Sequence, residues 1–330
     1  MSVAEFRSAC HDFAQHYIDV QMEGFKRLGV IGDWEHPYKT MDPSFEAEEV
    51  KVFGAMYKKG YIYKGLKPVY WCPDCNTALA EAEIEYEEDP CFSIYVKFAV
   101  KDDQGKLSKL GIDVSKTYFV IWTTTTWTLP GNMAICLGPE YEYYIMAKEL
   151  APAAMKAAKI EDYELIGSVT GKELEYIVCQ HPFLDRDSLV IVGDHVTLDS
   201  GTGCVHTAPG HGVEDFEVCV NHYPQIQIVV PVDSVGKLTK DAGEFAGLTT
   251  DEANKAIAKK LEETGNLFAV EKIVHQYPHC WRCKKPIIYR ATEQWFCSVE
   301  DFKADAIREI EKIKWYPSWG EGRIKNMVTD

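Results

Sequence analysis

The chain has no uninterrupted apolar run of the eighteen or more residues that a membrane span requires, and its opening, MSVAEFRSACHDF, lacks the charged-then-apolar layout of a secretory signal. No membrane partner is expected, and the expected compartment is the cytoplasm. Positive charge is in short supply: 35 Lys and Arg face 51 Asp and Glu, a formal net charge of −16. That balance speaks against a protein coated for nucleic acid, although phosphate contacts depend on where the cations sit. Two phosphate-binding patterns are missing, the G-x-x-x-x-G-K-S/T loop and G-x-G-x-x-G. Internal repeats and low-complexity linkers are missing too.

What is present is ample core material. The 330 residues are 46% hydrophobic, with 14 Phe, 18 Tyr and 8 Trp, enough for more than one compact unit. The few clustered cations, Arg282, Lys284, Lys285 and Arg290, then Arg308, Lys312, Lys314, Arg323 and Lys325, read equally well as a nucleic-acid contact and as a solvated face.

Helical spacing of Phe6, Cys10, Phe13, Ala14, Tyr17, Ile18 and Phe25 predicts an opening helix, and Pro43 to Lys58 a second. From Pro68 the texture becomes β-rich: 69–71, 83–87, 92–100, 118–122 and 133–137 read as strands of a mixed sheet or barrel, separated by Gly, Pro, Asn or Asp. Further strands are expected at 189–192, 203–205 and 226–230, a β-branched and aromatic stretch at 287–296, and helices at 150–159, 213–222, 250–264 and 299–312. The fold class is therefore mixed α/β, of α+β type.

Eleven cysteines are thinly spread, and four fall in two C-x-x-C pairs, Cys72/Cys75 and Cys280/Cys283. Each pair places two thiolates on a tight knuckle, half of a tetrahedral Zn²⁺ site, in a reducing compartment. About 200 residues separate the halves, so a whole domain is expected between them, with its ends close together. Redox pairs open a helix after a strand, and the surroundings here are turn-like, which favours structural zinc. His279 reads as a neighbour of the site or a surface residue. The cysteines at 10, 91, 136, 179, 204, 219 and 297 read as core packing.

Two segments carry chemistry. Trp122-Thr123-Thr124-Thr125-Thr126-Trp127 follows an apolar strand and displays hydroxyls at its end, suited to binding ribose hydroxyls or positioning a water. Gly201 to Phe216 packs four glycines, His206, His211, Glu214 and Asp215 around a strand-loop-helix. Glycines let a ligand approach the backbone, and a carboxylate at the helix start can meet an ammonium group. On residue types alone, His206, His211 and Asp215 also read as a metal site.

Together the segments WCPDCNTALAEAEIEYEE (71–88), IWTTTTWTLPGNMAI (121–135), GTGCVHTAPGHGVEDF (201–216) and PHCWRCKKPIIYRATEQWF (278–296) resemble isoleucyl-tRNA synthetases of the bacterial type, across essentially the whole chain. Valyl and leucyl relatives carry an Arg soon after the first threonines. The resemblance implies a β-rich editing domain inserted into a zinc-ribbon stem with flanking helices: 1–90 a helical connective segment and first knuckle, 91–275 the editing domain, 276–330 the second knuckle and return segment.

It further implies that Thr123, Thr124 and Thr125 line the editing pocket, that His206 shapes side-chain selection, and that Asp215 holds the α-ammonium. Trp122, Thr126, Trp127, Thr207, Gly210 and His211 would contact substrate, and Cys72, Cys75, Cys280 and Cys283 would hold Zn²⁺. Thr126 stands where the family usually has Pro. The implied activity is hydrolysis of valyl-tRNA(Ile), with valyl-adenylate as a further substrate. The implied partners are the aminoacylated 3′ end of tRNA(Ile), its valine moiety and the remainder of the synthetase. HIGH-like and KMSKS-like signatures are absent, so no ATP site is expected, and the chain reads as an excised segment of a longer enzyme. Two alternatives stay open: a non-catalytic tRNA-docking zinc module, and a metal-dependent hydrolase built on His206, His211 and Asp215.

Overall fold

Ser2 and Glu5 close a capping box that starts helix α1 (Val3–Arg27), and Lys26 and Arg27 sit in its last turn against the negative end of the helix dipole. Helix α2 (Pro43–Lys58) begins with Pro at its first turn, and Gly60, at φ +80°, follows its C-cap. Neither helix buries a residue, and Phe6, Phe13, Tyr17, Val50 and Tyr57 are exposed. These helices belong to the first of two units in this computed structural model, which describes residues 1–329. That unit comprises Met1–Gly65 and the chain from Trp295 onward, and the second is Leu66–Gln294.

The second unit is organised by one long strand. After β1 (Ile62–Cys72) and β2 (Thr77–Leu79) comes β3 (Ile84–Asp102), followed by β4 (Tyr118–Thr123), β5 (Ala134–Leu137) and β6 (Glu142–Tyr143). Helix α3 (Ala151–Ala157), β7 (Val169–Thr170), helix α4 (Gly171–Leu174), β8 (Val178–Gln180), β9 (Asp187–Val192) and β10 (Cys204–Thr207) succeed them. Then come helices α5 (Val213–His222) and α6 (Thr250–Glu263) and strands β11 (Leu267–Cys280) and β12 (Ile288–Cys297). Helices α7 (Lys303–Ile310) and α8 (Gly320–Thr329) complete the chain.

Strand β3 pairs with β4 through Ile94 to Ala99 and with β8 through Ala99 to Asp102, across a bulge. Six strands thereby close a ring in the order β3-β4-β10-β5-β9-β8, with β10/β4 and β5/β9 parallel and the other pairings antiparallel. Closure removes free edges. Phe98, Phe119, Ile121, Leu129, Ile135 and Leu137 are buried in the main core, and α6 adds Ala253, Ile257 and Leu261 along one face. A second cluster, Ile191, Val218, Cys219 and Tyr223 among others, seats α5.

Outside the ring, β11 pairs with β3 from Leu267↔Val96 to Cys280↔Ile84. The two chain segments flanking the central region thus run side by side, as the split C-x-x-C pairs require. The expected strands at 83–87 and 92–100 are one strand. Pro90 does not break it, because β3 has a single ladder partner along that stretch. The strand expected at 226–230 is absent. Ile226 and Ile228 instead pack their apolar side chains on the α5 cluster while the backbone stays irregular: the alternation reflects burial without a ladder. Of the seven other cysteines, those at 136, 179, 204 and 219 are buried as expected, but Cys10 and Cys297 are exposed. Among the described residues no helix is long and apolar enough to cross a membrane.

Candidate active site and metal centre

The threonine run leaves β4 and enters a 3-10 turn over Thr126–Gly131. The hydroxyls drive that change of direction. Thr125 N donates to Thr123 Oγ1 (3.1 Å), and Thr128 Oγ1 donates back to the Thr125 carbonyl (2.7 Å), so side chains replace the ladder partners the backbone loses. The turn is clamped from behind. His181 Nε2 donates to the Leu129 carbonyl (2.9 Å), Arg186 Nη1 donates to that of Pro130 (2.7 Å), and Trp127 N donates to Asn254 Oδ1 on α6 (2.8 Å).

A cavity of about 310 Å³ opens beside this turn. Trp122, Thr123, Thr124, Thr125 and Thr128 form one wall; His195, Thr197 and Ser200 to Gly203 a second; and His206, Ala208, His211 and Asp215 a third. Of the residues singled out in the sequence, the cavity gathers Trp122, the three threonines, His206, His211 and Asp215. Thr126, Trp127, Thr207 and Gly210 lie behind the wall. Trp127 packs edge-on against His211 with ring centroids 4.9 Å apart. Thr207 Oγ1 donates to the Val205 carbonyl. A Cβ on Gly210 would lie 2.2 Å from the Val229 carbonyl oxygen, so only glycine fits there.

Sequence reasoning missed Thr128, His195, Thr197 and Ser200 as lining residues. Thr128 sits three positions after Thr125, which is what a 3-10 turn brings to one face. The 195–200 loop carries no periodic signal, and only the barrel brings it across from the threonines.

The ionisable groups differ sharply in their freedom. His206 is fully engaged: Asn132 Nδ2 donates to its Nδ1 (2.8 Å), which leaves Nε2 carrying the proton, facing Thr128 Oγ1 at 3.0 Å. Burial, with the neighbouring His181 and His211, depresses its pKa to about 3, so it is neutral. It can form a shaped wall and cannot act as a base without breaking this chain. His211 Nδ1 lies 2.8 Å from the Tyr289 carbonyl, and burial lowers its pKa to about 4.

Asp215 stands in the first turn of α5, its Oδ2 accepting from Ala208 N (2.8 Å). Burial raises its pKa to about 7 against that single stabilising backbone bond. Gly212 leaves room beside it, since a Cβ there would fall 2.8 Å from Oδ2 and push the carboxylate aside. Among the described residues no Lys or Arg lines the cavity. It is a site of hydroxyls, neutral imidazoles and one carboxylate that lacks a counter-charge, suited to a small cationic group attached to a polar, uncharged moiety.

The four knuckle cysteines converge. The sulfurs of Cys72, Cys75, Cys280 and Cys283 all lie within 4.8 Å of one another, with Cys72 Sγ and Cys283 Sγ at 3.5 Å. Tetrahedral Zn–S bonds of about 2.3 Å would put sulfurs roughly 3.8 Å apart, so the donor set fits a metal ion of that size. Burial raises the Cys72 thiol to about 12. At Cys280 the same effect is outweighed by the Cys283 and Arg282 N–H groups, and its pKa falls to about 7. Ionising all four thiols needs a bound cation. His279 is not a member of the set: its Nδ1 lies 2.9 Å from the Tyr277 carbonyl and its Nε2 3.3 Å from Asp89. Among the described residues this is the one group of three or more potential ligands that converges.

The family model for class I tRNA synthetases (I, L, M and V) matches residues 1–330. An isoleucine–tRNA ligase from Caldicellulosiruptor bescii is 60% identical over 99% of this chain and 36% of its own length. One from Moorella thermoacetica is 55% identical over 100% of this chain and 36% of its own. The chain thus spans about a third of the length of the curated relatives it matches. A solved structure, "The crystal structure of GlLeuRS-CP1", aligns with 54% of this chain and 99% of that one at 15% identity and a TM-score of 0.43.

Proposed function

The chain belongs to the class I tRNA synthetases of the I, L, M and V group, and from that premise we propose that it is the editing region of an isoleucine-specific enzyme, hydrolysing valyl-tRNA(Ile) in the cavity between the threonine run and α5. The observation that carries this reading is Asp215: a half-buried, desolvated carboxylate at the cavity wall with no cationic side chain among the lining residues, a ready place for the α-ammonium of an aminoacyl ester. The hydroxyls of Thr123, Thr124 and Thr125 face the terminal ribose, and neutral His206 bounds the side-chain space.

An editing site of this kind answers a limit on binding. One methylene in an apolar pocket is worth about 1–3 kcal/mol, and isoleucine against valine is the standard instance of that limit. A second, smaller cavity reverses the selection: valine enters, and isoleucine would overpack it at a cost of about 1–3 kcal/mol. Asp215 serves as an anchor, since a carboxylate paired with an ammonium is a weak base. Valyl-adenylate fits less well, because its phosphate anion would enter a cavity with a carboxylate and no cation.

The Cys72, Cys75, Cys280, Cys283 set would hold structural Zn²⁺, which supplies cross-linking charge and no open coordination position. The region from about 91 to 275 is the editing domain on this reading, and the segments at 1–90 and 276–330 are its stem. The metal-hydrolase alternative loses support from His206, whose two ring nitrogens are both engaged. The direct test is deacylation of valyl-tRNA(Ile) against isoleucyl-tRNA(Ile) by the 330-residue chain. Loss of valine with isoleucine spared supports the proposal. A folded, metal-loaded sample that releases neither amino acid leaves the docking-module alternative standing.

A further inference from the structure

The third wall of the cavity is built on a short turn that is fastened from outside the barrel. His211 N donates to the Ala208 carbonyl across the turn (2.8 Å), and Ala208 N donates to Asp215 Oδ2 (2.8 Å). A shift of this turn therefore moves the carboxylate's backbone donor. Two bonds tie the turn down, and both come from β12. Ala291 N donates to the Gly210 carbonyl (2.8 Å), and the Tyr289 carbonyl accepts from His211 Nδ1 (2.8 Å). Residues two apart in a strand direct their backbone groups to the same edge. In the sheet ordered β12-β1-β2, β12 lies at the border, and the turn covers its edge.

Arg290 stands between those two residues and reaches a different part of the barrel. Its Nε donates to the Val232 carbonyl (3.2 Å), and its guanidinium lies over the Trp71 ring, 5.3 Å from the centroid. Trp71 on β1 donates from Nε1 to the Ser234 carbonyl (2.7 Å). Gly236, at φ +75°, brings the same loop against the first knuckle, where an added Cβ would lie 2.9 Å from Pro73 Cβ. Upstream in that loop the Val229 carbonyl abuts Gly210 and leaves no room for a Cβ. Gly210 is thus enclosed by β12 on one side and by the 229–236 loop on the other, and Arg290 is bonded to both. Neither Arg290 nor Trp71 lines the cavity, so whatever they contribute to it passes through the turn.

We propose that Arg290 is a positioning residue for the editing site: stacked on Trp71 and bonded to Val232, it clamps β12 and the 229–236 loop around Gly210 and so sets the place of the Asp215 carboxylate. This rests on the editing reading above. The site is then not confined to 91–275, because Trp71 and Arg290 both belong to the stem. Without the guanidinium the Val232 carbonyl loses its donor and the loop loses its tie to β12, so the turn relaxes and Ala208 N draws away from Asp215. That N–H is the group opposing the effect of burial on the carboxyl, and its retreat leaves the charged form less favoured. Linkage makes the coupling reciprocal: a clamp that strengthens ligand binding is itself strengthened by the bound ligand, by the same factor.

The test compares the wild-type chain with Arg290→Ala in three measurements: affinity for the amide-linked, non-hydrolysable analogue of valyl-adenosine, valyl-tRNA deacylation, and titration of the Asp215 carboxyl by carbon-13 NMR. Arg290→Ala should weaken analogue binding by about 10-fold and raise KM more than it lowers kcat. It should also move the Asp215 titration above its wild-type midpoint of about 7. Glu214, Cys136, Cys219 and the cavity histidines at 195, 206 and 211, the ionisable groups around Asp215, are unaltered by the substitution. Analogue affinity within about twofold of wild type, or weakened binding with an unmoved Asp215 titration, overturns the proposal. Should Arg290→Ala unfold, hydrogen exchange on the wild-type chain decides. Saturating analogue must slow exchange of the Ala291 amide, which lies outside the cavity, by about 10-fold, and unchanged exchange there sinks the clamp. A wild-type chain that deacylates nothing defeats the editing reading itself, whereas an active wild type with an indifferent Arg290 defeats only this inference.

Discussion

The cavity and the cysteine knuckles, both within the Leu66–Gln294 unit, bury acidic groups that await a positive charge, but they do so in opposite ways. At the knuckles four thiols face one another around a small apolar cluster of Leu79, Ile287 and the cysteines themselves, and a permanent dication would join two chain segments about 200 residues apart. In the cavity one carboxylate, Asp215, waits alone, and its cation would come and go with each substrate. A charge deficit satisfied permanently contributes to folding; one satisfied transiently is available for recognition, and the fold carries its cost between turnovers.

Removing the knuckle cation should have the largest effect on stability. Chelation, or Cys280→Ser, is expected to lower the unfolding midpoint by roughly 10 °C or more, since structural metal sites contribute several kcal/mol to folding. Calorimetry before and after zinc is added back reads the change. A midpoint unmoved by metal would erase the contrast between the two sites.

Removing the cavity's acid should do the reverse to stability while abolishing activity. Asp215→Asn is expected to slow valyl-tRNA deacylation by about 100-fold or more, through loss of a charge-assisted contact to the ammonium. The folded-state pKa of Asp215, about 7, lies above the 3.8 of an ordinary aspartate. Between those pH values the native state holds a proton that the unfolded state has released, so this group's contribution to stability falls as pH rises from about 4 to about 7. The variant should therefore gain thermal stability relative to wild type at pH 8 and little at pH 4. A D215N protein less stable than wild type at pH 8 contradicts that assignment.

On the proposed reading the same carboxylate should set the pH dependence of turnover. Because only its ionised form attracts the ammonium, kcat/KM, corrected for spontaneous ester hydrolysis, should rise with pH up to about 7 and decline as the substrate's α-amino group, which titrates near about 8, loses its proton. The rise should vanish in D215N. A flat wild-type profile from pH 5 to 8 would break the link between burial and recognition.

Smaller effects sharpen the description of the walls. His206→Ala enlarges the side-chain space, and the preference for valyl- over isoleucyl-tRNA should shrink by about 10- to 100-fold, as read from paired deacylation rates. The smallest change expected is at Thr126→Pro. Thr125 has φ −117° and ψ 75°, outside the helical region that a following proline disfavours. Proline there should be tolerated and should stabilise by about 0.4–1 kcal/mol through the unfolded chain, a shift visible in denaturant midpoints.

Much of this was legible in the residues. Pro43–Lys58 and Val213–His222 emerged with the expected bounds because a starting proline and apolar spacing act locally. The cysteine pairs announced their convergence because no other arrangement gives C-x-x-C its use as a metal site. By contrast 226–230, apolar and alternating, reads as a strand although it forms none: alternation records which side chains are buried and not whether a backbone partner exists. β11, a 14-residue strand interrupted by Glu271, Lys272, His275 and His279, escaped notice since its outer half is held by the β3 ladder more than by an apolar face.

The sequence by itself determined the two cysteine pairs, the hydroxyl run, the carboxylate and the family, because these are properties of residue type and order. Tertiary structure alone decided which groups are spent and which are free. His206 and His211 are indistinguishable as letters, yet the first is occupied on both nitrogens by Asn132 and Thr128 while the second has a buried Nε2 without a hydrogen-bond partner. Hydrogen-bond occupancy and desolvation depend on neighbours distant in the chain, and only the closed barrel brings those neighbours together.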